Sequence, residues 1–129
     1  TGMAVPSAVD ERRLVSRLGH RLEFNDASDG GGVGLVSHED RMLVLGDKSN
    51  HILLSDQQGN KMTVLTDSGN IEIECVGDFK VRAQGKVDIQ GQMSANLSTP
   101  GPLTLKGDAS AELKSSGIVT INGSLVKIN

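Results

Sequence analysis

From Gly69 to Asn129, apolar and polar residues recur with a period of eight. In octads the stretch is GNIEIECV, GDFKVRAQ, GKVDIQGQ, MSANLSTP, GPLTLKGD, ASAELKSS and GIVTINGS, followed by LVKIN. The third residues are Ile71, Phe79, Val87, Ala95, Leu103, Ala111 and Val119. The fifth are Ile73, Val81, Ile89, Leu97, Leu105, Leu113 and Ile121. All of these are apolar, and every fourth and sixth residue, from Glu72 and Glu74 to Thr120 and Asn122, is polar. Alternation over positions three to six has period two, so each octad predicts a short strand with one buried face. Gly69, Gly77, Gly85, Gly101 and Gly117 open their octads and predict a corner between strands. Apolar pairs separated by a long polar gap leave no stripe of period 3.6, which excludes a helix.

A solitary octad cannot bury its apolar face, so octads must stack. Two architectures satisfy this: a single-chain solenoid with several octads per coil, or an intertwined trimer in which each chain moves from one face of a prism to the next. At a strand spacing of about 4.8 Å, eight stacked octads make a rod of roughly 40 Å. Composition favours the trimer. The chain has two Phe, no Trp and no Tyr, and small or medium aliphatics suit a narrow axis where three chains meet. A lone coil of roughly sixty residues would have a very small core. The expected fold is all-β: an intertwined homotrimeric triangular β-helix, or β-prism, preceded by a less regular β-strand part. Its expected trimer core is Ile71, Ile73, Phe79, Val81, Val87, Ile89, Leu97, Leu103, Leu105, Leu113, Val119 and Ile121.

Residues 1–11, TGMAVPSAVDE, carry no pattern and are expected to be a linker or tag remnant on a C-terminal piece of a longer chain. Residues 12–68 predict irregular short strands leading into the prism, and residues 69–129 the octad β-helix with a blunt tip. Leu14, Ser16 and Leu18 share one parity, and Leu22 and Phe24 follow Gly19-His20, predicting a strand, a tight turn and a strand. Further strands are predicted at 33–36, 41–45, 49–55 and 61–66, with turns at 26–32, 56–60 and 67–70. The pairs Met42/Val44, Ile52/Leu54 and Met62/Val64 recur every ten residues. That spacing predicts either a wider prism or a meander. Val126 and Ile128 follow Val119 and Ile121 by seven, so the last corner is one residue short.

Charge and candidate chemistry change little. At 129 residues with net charge −3 the chain is one domain or a fragment. The octads carry six basic and six acidic residues, so no basic stripe points to nucleic acid. No apolar run approaches a membrane span, and no signal-peptide pattern is present. A single cysteine, Cys75, forbids an intrachain disulfide and is expected to be a buried small hydrophobe. His20, His38 and His51 lack carboxylate partners at a diagnostic spacing. Three copies of one His could meet on a threefold axis, and His51 is the better placed because it flanks a strand. Asp26 and Asp29 fit no calcium-loop spacing. Glu72 and Glu74 share a polar strand face rather than a cleft. Gly30-Gly31-Gly32 lacks the Lys-Ser/Thr of a phosphate loop. The expectation is no catalytic residue, no cofactor, no metal and no enzyme. A period of eight also rejects a hexapeptide-repeat acyltransferase.

SRLGHRLEFNDA (Ser16–Ala27), the octads after it, and the ending GIVTINGSLVKIN together resemble the C-terminal β-helical spike of the VgrG-like and phage baseplate assembly protein V family. These are central spikes of contractile injection systems, including type VI secretion systems, extracellular injection particles and phage tails. The resemblance covers residues 12–129. It implies a homotrimer that pierces a target envelope, a PAAR-type tip protein at the C-terminal end, and a baseplate hub and inner tube joined through N-terminal domains not found in this stretch. It implies assembly in the bacterial cytoplasm, delivery to or through a target envelope, and transient membrane contact. Some phage spikes in this group bind iron through a His-x-His motif; no His follows His51 here. Leu125, Val126, Ile128 and Asn129 are the residues expected to dock the tip protein. The alternative is the shaft of a trimeric phage tail fibre or adhesin, which would continue into a head.

Overall fold

The structure is a computed structural model and describes residues 10–129. The expected linker at 1–11 therefore lies almost wholly outside the described residues. The fold is all-β, with seven strands and no helix among the described residues: β1 (Glu11–Val15), β2 (Arg21–Asn25), β3 (Gly32–Val36), β4 (Met42–Gly46), β5 (His51–Ser55), β6 (Lys61–Leu65) and β7 (Asn70–Glu74). They form one antiparallel sheet in sequence order. The irregular front part is thus a meander, and its strands fall where period-two alternation and turn residues predict them. The first octad is drawn into the sheet as β7. The chain divides into two compact units, one ending at Ala83 and the other Gln84–Asn129.

The loops at one end of the sheet share a design. Three loops have five residues: Ser16–His20, Ser37–Arg41 and Asp56–Asn60. In each, the first N–H donates to the fifth carbonyl, at 2.9, 2.8 and 3.2 Å. In each, the fifth N–H donates back to the first side chain, Ser16 Oγ, Ser37 Oγ or Asp56 Oδ1, at 3.0 Å. Short polar side chains that bond their own backbone are the chemistry of turns. This closure corrects the expected run of Leu14, Ser16 and Leu18: β1 stops at Val15, and Ser16 and Leu18 belong to the loop.

Loop length sets strand parity. Leu43 pairs with Leu54 and Leu45 with Ile52; Ile52 then pairs with Val64 and Leu54 with Met62. Directly opposed residues share a sheet face. Met42 and Val44 therefore lie on the face opposite Ile52/Leu54 and Met62/Val64, and Leu43 and Leu45 take their place. In the run MLVL both parities are apolar, so only the register decides.

Beyond Glu74 the described chain has neither strand nor helix of its own. It bends at 76–77, 84–85, 92–93, 100–101, 108–109, 116–117 and 124. These bends recur every eight residues at the octad boundaries. Two octads open without Gly, at Met93 and Ala109. In both, a glycine stands two residues earlier, at Gly91 and Gly107. A Cβ at Gly91 would run into the Ser94 carbonyl oxygen, and one at Gly107 into that of Ser110. The corner still needs a residue without a side chain; its position has moved. The Gly101 and Gly117 corners are instead held by N–H bonds to Thr99 Oγ1 (3.1 Å) and Ser115 Oγ (3.0 Å).

Candidate functional site

The pairing register carries one apolar face across the whole sheet. From β1 to β7 it holds Leu14, then Leu22 and Phe24, Val33 and Leu35, Leu43 and Leu45, Ile52 and Leu54, Met62 and Val64, and Ile71 and Ile73. Only Arg12, at the first edge, interrupts it. The opposite face carries cross-strand ion pairs at its ends, Arg13–Glu23 at 3.1 Å and Lys61–Glu74 at 3.1 Å. Ile71 and Ile73 are the third and fifth residues of the first octad. The apolar positions of the octads and the apolar face of the sheet are therefore one continuous surface where they meet, in β7.

Nothing in the described chain covers that surface. Leu35 is 56% exposed and Ile71 67%. Among the described residues the only buried hydrophobic one is Val36, on the other face. Every residue from Thr66 to Asn129 is exposed, including the expected core residues Phe79, Val81, Val87, Ile89, Leu97, Leu103, Leu105, Leu113, Val119 and Ile121. The expected docking residues Leu125, Val126, Ile128 and Asn129 are exposed as well. Monomers rarely leave contiguous apolar patches of more than a few hundred Å² open, and larger ones mark contact surfaces.

Four of the seven octads carry a charge pair on their polar side. Lys80 meets Asp78 at 3.2 Å, Lys86 meets Asp88 at 2.9 Å, Lys106 meets Asp108 at 2.7 Å and Lys114 meets Glu112 at 3.0 Å. Each pair joins two even-numbered octad positions, the side opposite the apolar residues. Exposed pairs of this kind add little stability, but they leave these four repeats close to neutral.

The other candidate residues occupy turns or edges. His20 Nδ1 accepts the His38 N–H at 3.0 Å, tying the first loop to the second. His51 Nδ1 lies 3.3 Å from the Ser49 carbonyl, and its strand position puts it on the face opposite Ile52 and Leu54. That placement removes His51 as an ion ligand within the apolar face. Asp26 is bound by Arg12 at 2.6 Å. Glu72 and Glu74 lie on the polar face of β7, and Cys75 is a free exposed thiol. Among the described residues, no group of three or more His, Cys, Asp or Glu could hold a metal ion.

The titration of Asp56 is shifted. The Asn60 side chain, donating to Oδ2 at 2.8 Å, holds its carboxyl below the ordinary 3.8, and the Gln58, Asn60 and Gly59 N–H groups on Oδ1 add to this. Burial opposes the shift. A depressed carboxylate stabilises the fold above its unfolded value and loses that contribution as pH falls through the folded one. The 56–60 loop is therefore expected to stay closed at pH 5 and to open below about pH 4. Amide protection at Gln58, Gly59 and Asn60, followed by NMR across that range, checks it. Asp56→Asn should abolish the acid step.

Neither a family model nor a curated protein sequence matches this chain. What the fold and the face define is an all-β chain, an antiparallel meander running into octad corners, with its apolar side uncovered.

Proposed function

We propose that this chain is the distal part of a homotrimeric spike, the piercing needle of a contractile injection machine of the VgrG-like type. The observation that carries the proposal is the uncovered apolar face, which starts at Leu14, crosses seven strands and passes into the octads through Ile71 and Ile73. A single chain with one buried hydrophobic residue among those described cannot offset its own conformational entropy. Three copies, each turning that face inward, would bury it around a common axis. The octads would intertwine as a triangular β-helix, and their polar even positions would form a neutral outer surface.

The mechanism is mechanical. Interlocked chains cannot separate without breaking many backbone hydrogen bonds and exposing the axis at once, so resistance to unfolding is kinetic. Strand pairing above and below each octad removes free edges except at the ends. A charge-paired outer surface slides past water and lipid headgroups without a fixed partner. At the C-terminal end, Leu125, Val126 and Ile128 offer apolar side chains and open backbone groups to a PAAR-type cap. The resemblance of SRLGHRLEFNDA and GIVTINGSLVKIN to contractile spikes selects this role over that of a fibre shaft.

Truncation tests the docking end. An immobilised PAAR-repeat protein should retain the full chain and release the chain lacking residues 118–129. Equal retention of both would remove the docking role.

A further inference from the structure

The end of the sheet that carries the three five-residue loops is also where the chain leaves β7. Cys75 there takes the place held by Ser16, Ser37 and Asp56, and Val76 that held by Arg17, His38 and Gln57. The path begins as the closed loops do. Val76 N–H donates to Asn60 Oδ1 at 3.0 Å, as His38 N–H donates to His20 Nδ1. In both cases the fifth residue of one loop receives the second N–H of the next turn. There the likeness stops. Cys75 has no side-chain oxygen to receive the N–H of Phe79, and its thiol reaches the Gly77 carbonyl at 3.4 Å instead. No bond joins the Cys75 N–H to the Phe79 carbonyl among the described residues. The chain bends at 76–77 and makes no eighth strand, so the outer edge of β7 carries no partner among the described residues.

We infer that position 75 is the release point of the meander: lacking the loop-closing oxygen, the chain crosses from its own sheet to another copy of itself, and the open edge of β7 receives the second octad, Gly77–Gln84, of that copy. The inference rests on the trimer reading and adds where interchain pairing begins and which residue starts it. An open strand edge is a template for another strand, and the octad strand offers what it needs: Phe79 and Val81 extend the side of Ile71 and Ile73, and Lys80 and Arg82 that of Glu72 and Glu74. The meander loops close because a Ser or Asp opens each one. The residue that begins the first octad corner is the first at this end that cannot.

Cysteine pairs test it, in chains where Cys75→Ala removes the native thiol. One chain carries Glu72→Cys with Lys80→Cys, the other Glu72→Cys with Arg82→Cys. A closed five-residue loop would set Arg82 opposite Glu72 in the same chain. On a non-reducing denaturing gel, disulfide-linked multimers from at least one pair are the expected result. A disulfide formed mainly within single chains, or no disulfide from either pair, overturns the inference. Repeating the second pair with Cys75→Asp in place of Cys75→Ala restores the loop oxygen. The single-chain disulfide fraction should then rise about fivefold, the ratio that one added hydrogen bond supplies; an unchanged fraction removes the role of position 75. The solution mass of the unaltered chain separates the two claims. A trimer with single-chain disulfides ends this inference alone, whereas a monomer ends the trimer reading beneath it.

Discussion

In solution the chain should weigh three times its 13.6 kDa and should run as a trimer on a denaturing gel unless boiled. The expectation follows from area. The apolar face from Leu14 to Ile73 and the octad residues beyond it are open in the single chain, and apolar burial contributes about 25 cal/mol per Å². Covering them is the largest favourable term available to this sequence. Detergent resistance follows from topology rather than from that free energy. Chains wound about one another must unpair along their whole length before one can leave, so the barrier to dissociation exceeds the equilibrium stability. Light scattering beside paired boiled and unboiled gel samples measures both. A monomeric mass would return the octads to a single-chain solenoid and would leave the apolar face of the sheet without an occupant.

Leu105→Asp should abolish the trimer, while the neighbouring Thr104→Asp should leave it intact. Leu105 is the fifth residue of its octad and Thr104 the fourth, so one points to the proposed axis and the other to water. In a trimer the first substitution sets three carboxylates at one level of a narrow apolar core. An uncompensated buried charge costs on the order of several kcal/mol, and three of like sign repel one another as well. The second adds three exposed charges to a polar surface, where substitutions typically stay within about 0.5 kcal/mol. The mass and the unboiled gel band of each variant give the readout. A trimeric Leu105→Asp would mean that the fifth octad positions do not face a common core.

The strands of the meander and the corners of the octads were legible in the sequence because their causes are local. Alternation over five residues, a Gly or Asp-Ser-Gly-Asn turn, and a polar residue at a loop start all act within about ten residues of chain. Ile71 and Ile73 were recognised as core-type residues from that alternation, and the bends at 76–77, 84–85 and onward fall at the predicted octad boundaries. Leu14, Leu22, Phe24, Val33, Leu35, Leu43 and Leu45 were not assembled into one face beforehand. The signal was present in the loop lengths, since the number of loop residues fixes which parity of one strand meets which parity of the next. It can be read only once the hydrogen bonds that close each loop are known.

The sequence by itself determined that this protein is all-β and that its C-terminal half is an eight-residue repeat with one apolar side. The tertiary structure decided what those elements share. It set Leu43 and Leu45, rather than Met42 and Val44, in line with Ile52 and Leu54. It joined the first octad to the meander as β7, and it ended the sheet at Cys75, where a loop of the earlier kind does not close. The physical reason is one of range. Period and turn chemistry are properties of neighbouring residues. A sheet face is a property of register, which each loop closure passes on to the next strand, and the last register here is left open at the edge of β7.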